Sequence, residues 1–199
     1  WIVNPPRYGL IQPNITVDCG NSGTVAKIMS VVAATFESEI TIDGDASLRK
    51  RSNAELAECL RKMGCEVSDD NFPCKIKGPI RIWNDLDVDV SRSSQPITAL
   101  ILSSSNFLKK LNVKLLGKKV SEGYLNLTLE LARNWGFKGE LSNGIIELSK
   151  WKVKSPGKVK IPSEISLYPM AILLDKLHRN LEVKIRKDDP DNLLLSTLD

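Results

Sequence analysis

Two short polar clusters, Gly20-Asn21-Ser22-Gly23-Thr24 and Ser93-Ser94-Gln95, each stand just ahead of an apolar stretch with helical spacing. A helix start leaves N–H groups without intrahelical partners and carries the positive end of the helix dipole. Hydroxyls, amides and a small glycine at that place suit oxygen-rich anions such as phosphate. The chemistry expected of these residues is capture of an acidic small molecule. A single serine at a helix start is otherwise accounted for by capping alone.

The two clusters are copies of one another. Gly23 to Gln95 spans 72 residues, Gly44 to Gly117 73, and Gly64 to Gly136 72. A constant step of this length means one supersecondary unit used twice. Each copy reads as strand, helix, strand, helix and two further strands. In the first, residues 15–17 form a strand and residues 24–36 an apolar helix with Ile28, Val32 and Phe36 on one face. Residues 39–42 alternate as a half-buried strand. Asn53 caps a second helix carrying Leu56, Leu60 and Met63, and a hairpin of residues 65–68 and 73–77 follows.

The second copy repeats the order: a strand at 86–90, an apolar helix at 95–105, a strand at 113–116 and a helix at 123–135. Its hairpin pairs 138–141 with 145–148 through Asn143-Gly144. A third copy opens after Ser155-Pro156-Gly157, with a strand at 159–161, a helix at 166–177 and a strand at 181–185. Residues 192–198 read as the start of a helix, and residues 1–3 as the last strand of a preceding unit. The organisation expected is therefore the end of one unit (1–15), two full βαβαββ units (16–80 and 81–152) and a truncated further unit (153–199). The fold class is α/β (α+β), and the chain reads as part of a longer repeat array.

The totals narrow the function classes. The 199 residues carry 42% apolar and 26% charged residues, as an ordinary globular domain does. No apolar run reaches membrane-spanning length, so no membrane partner is expected. Cys19, Cys59, Cys65 and Cys74 include no CxxC pair and the single His178 lies far from them, which favours reduced thiols over a zinc site or a disulfide framework. The formal charge of +4 suits an acidic ligand. Lys109-Lys110, Lys118-Lys119 and the lysines of 150–160 with Trp151 offer basic and aromatic material, but acids are interspersed and no nucleic-acid motif is present. No nucleic acid is expected as a partner.

Taken in order, Gly20-Asn21-Ser22-Gly23-Thr24, the string Gly44-Asp45-Ala46-Ser47-Leu48-Arg49-Lys50-Arg51, Ser93-Ser94-Gln95 and Ser121-Glu122-Gly123-Tyr124 resemble the motifs of the 5-enolpyruvylshikimate-3-phosphate synthase family. The resemblance covers about residues 17–148. It implies a fold of repeated βαβαββ units, the inside-out α/β barrel of the enolpyruvyl transferases, here incomplete. It also implies transfer of the carboxyvinyl group of phosphoenolpyruvate to the 5-hydroxyl of shikimate 3-phosphate, with release of phosphate. No cofactor or metal is implied. A cytoplasmic enzyme, monomeric at full length, is the corresponding expectation.

By the same resemblance, Ser93, Ser94 and Ser121 match the hydroxyls that hold the 3-phosphate, and Tyr124 matches the tyrosine lining the shikimate site. Gln95 matches the glutamine between the two substrates. Asn21, Gly23 and Thr24 match the loop lining the phosphoenolpyruvate site, and Arg51 the arginine that binds its phosphate. Several positions depart from the family pattern. Ala26-Lys27 stands where Met-Arg is common, Ser52 where proline is common, Pro96 where an aromatic often stands, and Glu122-Gly123 where a basic residue and proline precede the tyrosine.

Pro162-Ser163-Glu164-Ile165-Ser166 does not reproduce the family's Asp-Ala-Ser-Ser string, so no anion-binding role is expected there. Asp45 and Glu122 match no acid or base of the family, and His178, near the end of an apolar helix, reads as a C-terminal helix residue, so no catalytic residue is expected in this chain. The expectation is a substrate-binding part, mainly for shikimate 3-phosphate, inactive by itself. The alternatives are a divergent enolpyruvyl transferase with another acceptor, and a noncatalytic anion-binding or nucleic-acid-binding module.

Overall fold

A computed structural model describes residues 15–117 and 122–159, with Met170, Leu173, Leu174 and Leu177 beyond them. Within it the hydrophobic alternation and helical spacing become two successive sets of six elements. The first set is β1 (Thr16–Asp18), α1 (Gly23–Ala33), β2 (Glu39–Asp43), α2 (Ala54–Lys62), β3 (Glu66–Val67) and β4 (Cys74–Lys77). The second is β5 (Leu86–Asp89), α3 (Gln95–Ser103), β6 (Leu111–Leu116), α4 (Glu122–Asn134), β7 (Leu141–Ser142) and β8 (Ile145–Leu148).

Both sets close into four-stranded sheets of one topology, β1-β2-β4-β3 and β5-β6-β8-β7. In each, the first two strands run parallel, with Thr16 opposite Thr41 and Leu86 opposite Val113, and a helix makes the crossover. The remaining pairs are antiparallel, with Ile42 opposite Cys74 and Val113 opposite Ile146. Alternation sets which side chains face inward: Cys74 and Ile76 are buried while Lys75 and Lys77 face water. One apolar core runs through both sets, with Leu48, Leu56, Leu60 and Ile76 from the first and Ile97, Leu100, Phe107 and Ile146 from the second.

The connection between the sets is pinned rather than loose. Ile80 N–H donates to the Ala34 carbonyl, and Arg81 and Ile82 N–H donate to that of Met63. Trp83 then meets Phe107 edge to face, ring centroids 5.4 Å apart.

Three local expectations need correction. First, α1 ends at Ala33, because the N–H groups of Thr35 and Phe36 bond three residues back and tighten the last turn. Its deeply buried face is Ala26, Lys27, Ser30, Val31 and Ala33, whereas Ile28, Val32 and Phe36 are half-buried. α1 packs on α3, and small buried side chains such as Ala26, Ser30 and Ala33 let a helix approach its neighbours closely.

Second, α2 begins after Asn53, but the Asn53 side chain makes no cap. Its Oδ1 and Nδ2 are buried without a hydrogen-bond partner, and Ser52 Oγ accepts the Ala54 N–H at 3.2 Å instead. Third, the strand expected at 138–141 pairs only over Leu141–Ser142. Upstream the backbone belongs to the end of α4: Phe137 N–H returns to Ala132, and the Phe137 ring packs edge-on against Trp151 at 5.8 Å.

Residues Ser155–Asp199 form a separate unit. Its helical residues Met170, Leu173, Leu174 and Leu177 are exposed. The strands expected at 1–3, 159–161 and 181–185 and the helix start at 192–198 lie, Val159 apart, outside the described residues.

Candidate anion-binding site

The loop after β1 and the loop after β2 are stapled together, and that staple aims Arg51. Cys19 N–H donates to the Asp43 carbonyl at 2.8 Å, and Asp45 N–H donates to the Gly20 carbonyl at 2.9 Å. Gly44 sits so close that a Cβ there would collide with the Gly20 carbonyl and the Leu48 side chain, so only glycine fits. Asp45 Oδ1 then accepts the Ser47 and Leu48 N–H groups at 2.9 and 2.8 Å and starts a single 3₁₀ turn, Leu48–Lys50. Leu48 anchors that turn in the core, and Arg51 N–H returns to the Leu48 carbonyl at 2.9 Å.

Within the basic run the structure divides the labour. Arg49 makes a two-pronged ion pair with Asp43, Nε to Oδ1 at 2.9 Å and Nη2 to Oδ2 at 2.7 Å. The Arg49 guanidinium and the Gly44 N–H hold the Asp43 carboxyl below its usual range. Arg51 makes no ion pair among the described residues. Its Nη2 donates to Asn21 Oδ1 at 2.7 Å, which leaves the rest of the guanidinium for an anion.

Gln95, the first residue of α3, is where the two copies of the repeat meet. Its Nε2 donates to Thr24 Oγ1 at 3.1 Å, and its Oε1 accepts from Lys27 Nζ at 2.9 Å. Gly23 lies between: a Cβ built on it would be 3.5 Å from Arg51 Nη1 and 3.6 Å from Gln95 Oε1. Asn21, Gly23, Thr24, Lys27, Arg51 and Gln95 thus form one constellation. It is rich in donors, carries two cations and, among the described residues, holds no carboxylate in its hydrogen-bond network. That arrangement can bind the oxygens of a phosphate or carboxylate.

The other expected residues stand differently. Ser93 Oγ accepts the Gln95 N–H at 3.1 Å and so shapes the start of α3. Ser94 is buried and makes no side-chain cap. Tyr124 lies in the first turn of α4, largely exposed, with no side-chain hydrogen bond among the described residues. That turn is tied to α3 through Thr128 Oγ1, which donates to the Tyr124 carbonyl and lies 3.0 Å from Thr98 Oγ1. Ser121 lies outside the described residues.

Lys27 was not among the expected site residues, being counted only as a departure from a family arginine. Its signal is helical spacing: Gly23, Thr24 and Lys27 fall at i, i+1 and i+4 of α1, so Lys27 lies one turn below the loop, on the Gly23 side. Lys27 is only 8% exposed, and burial lowers its pKa, with Glu55 opposing that shift and Arg51 adding to it. A cavity of about 810 Å³ lies elsewhere, by Arg133, Phe137, Lys138, Lys150 and Trp151, and contains none of these residues.

The family model for EPSP synthase (3-phosphoshikimate 1-carboxyvinyltransferase) matches residues 1–168. Proteins named 3-phosphoshikimate 1-carboxyvinyltransferase are similar. The one from Nitrosopumilus maritimus is 36% identical over 137 residues, covering 68% of this chain and 32% of that protein. The one from Caldivirga maquilingensis is 31% identical over 134 residues, covering 67% and 32%. The chain therefore spans about a third of the length of these curated relatives. The solved EPSP synthase from Acinetobacter baumannii superposes with a TM-score of 0.60 at 23% identity, covering 73% of this chain and 33% of that one. The βαβαββ fold is thus the enolpyruvyl transferase fold, and the chain belongs to the EPSP synthase (3-phosphoshikimate 1-carboxyvinyltransferase) family.

Proposed function

We propose that this chain is the substrate-binding part of a 3-phosphoshikimate 1-carboxyvinyltransferase, which moves the carboxyvinyl group of phosphoenolpyruvate to the 5-hydroxyl of shikimate 3-phosphate and releases phosphate. The observation that carries the reading is the meeting of Thr24, Lys27 and Gln95 beside Gly23 and the unpaired side of Arg51. Arg51, Asn21, Gly23 and Thr24 take the phosphoenolpyruvate side. Ser93, Ser94, Ser121 and Tyr124 take shikimate 3-phosphate, with Gln95 serving both. Positive charge on the transferring group and donors fixed before it arrives lower the cost of the charge that develops there.

The proton transfers that the reaction needs fall to groups outside this chain, so the 199 residues alone bind and do not turn over. Among the described residues no helix is long and apolar enough to cross a membrane, and the four cysteines are free thiols. Reduced thiols fit a cytoplasmic protein; a monomer at full length is part of the same proposal and is checked by light scattering. The test of binding is NMR titration of the chain with shikimate 3-phosphate and with phosphoenolpyruvate. Shifts at residues 93–95 for the first and at 21–24 and 51 for the second are expected. A spectrum that neither ligand perturbs would overturn the reading.

A further inference from the structure

We propose that Lys27 is a positioning residue that fixes which end of the Gln95 carboxamide faces Thr24 and which end is held within the protein. The inference rests on the reading of Gln95 as a ligand contact. The two ends of a glutamine amide have nearly the same shape but opposite hydrogen-bonding character, so a flip exchanges a donor for an acceptor. Thr24 cannot choose between them, because its hydroxyl pairs with either end. The Lys27 ammonium can, since it offers only donors and so accepts only Oε1 as partner.

With Oε1 held by Lys27 Nζ at 2.9 Å, Nε2 points to Thr24 Oγ1 at 3.1 Å. One Nε2 proton is used there and the second is free to donate to a ligand oxygen. The orientation is thus set between α1 and α3, one from each copy of the repeat. Lys27 is buried and makes no ion pair among the described residues. Of the charged groups that act on it, Glu55 at the start of α2 favours the ammonium and Arg51 opposes it. An ammonium buried against a neutral amide is costly for folding alone, and an incoming anion would relieve that cost.

The experiment follows the Gln95 side-chain NH₂ signals in the ligand-free 199-residue chain, comparing wild type with Lys27→Met and Lys27→Arg. Two well-separated proton shifts with a contact to Thr24 are expected in wild type and in Lys27→Arg. In Lys27→Met the separation shrinks and the Thr24 contact is lost, while the backbone amide spectrum stays in place. Gln95 signals unchanged in Lys27→Met would overturn the proposal. Should that variant fail to fold, the wild-type chain decides: Gln95 NH₂ shifts must move with the Lys27 Cε titration, and shifts that ignore it are equally fatal.

A titration with phosphoenolpyruvate separates this from the functional reading. Binding about tenfold weaker in Lys27→Met than in Lys27→Arg supports both. A Gln95 amide that responds to Lys27 in a chain that binds no ligand keeps the positioning role and removes the function.

Discussion

Asn21 and Arg51 come from different loops of the first repeat, and the Arg51 guanidinium donates to Asn21 Oδ1 at 2.7 Å. The bond orients the fork without neutralising it, because the amide oxygen carries no net charge. Arg51→Lys keeps the charge and loses the planar fork, so phosphoenolpyruvate binding should weaken about tenfold or more. Asn21→Ala should weaken it less, by severalfold, since the cation remains. Calorimetric titration of both variants checks the order; equal affinity of Arg51→Lys and wild type would remove Arg51 from the site.

Two glycines that both flank the site should respond in opposite ways. A Cβ on Gly23 would find Arg51 Nη1 and Gln95 Oε1 at ordinary contact distance. Gly23→Ala should therefore fold with unchanged or slightly raised thermal stability, as an alanine in a first helical turn does, yet bind phosphoenolpyruvate less well. A Cβ on Gly44 has nowhere to go against the Gly20 carbonyl. Gly44→Ala should lower the melting temperature by several degrees, about 2 kcal/mol of stability. Calorimetric melting curves of the two variants decide.

Burial lowers the Lys27 pKa from the ordinary 10.5, and the charge of Arg51 adds to this while Glu55 works against it. The folded chain thus gives up that proton more easily than the unfolded chain. Between the lowered folded value and 10.5 the unfolded state holds more protons, so the Lys27 contribution to stability rises with pH across that window. Anion binding should fall over the same range as the ammonium is lost. A ¹³C titration of Lys27 Cε with its midpoint at or above 10.5 would contradict this.

The four cysteines should be inert in the native chain. Burial pushes the Cys59 and Cys65 thiols to about 11 and raises those of Cys19 and Cys74. At pH 8, about one Cys59 in a thousand is thiolate. A thiol reagent should label none of the four in buffer and all four in denaturant, as counted by mass spectrometry. Fast native labelling of any of them would mean that its shell opens.

The 72-residue step, the strand and helix order and the turn at Asn143-Gly144 were legible in the chain itself, because periodicity and turn chemistry are local properties. The same local rules misjudged Asn53, whose composition and place fit a cap but whose side chain lies unpartnered in the core. They also grouped Ile28, Val32 and Phe36 on one apolar face of α1, whereas the most deeply buried positions are Ala26, Ser30, Val31 and Ala33.

In the run Arg49-Lys50-Arg51, the family resemblance singles out Arg51, but no local rule separates the two arginines. Only the fold pairs Arg49 with Asp43 and leaves Arg51 without an ion pair among the described residues, its guanidinium bonded to Asn21 instead. Lys27 shows the same limit most clearly. Its type and position were plain, but its meaning depends on Gln95, 68 residues away. The sequence determined the repeat and most, but not all, of the residues that could hold an anion. The packing of α1 on α3 decided which of them meet, because a hydrogen bond depends on distances that only the folded chain creates.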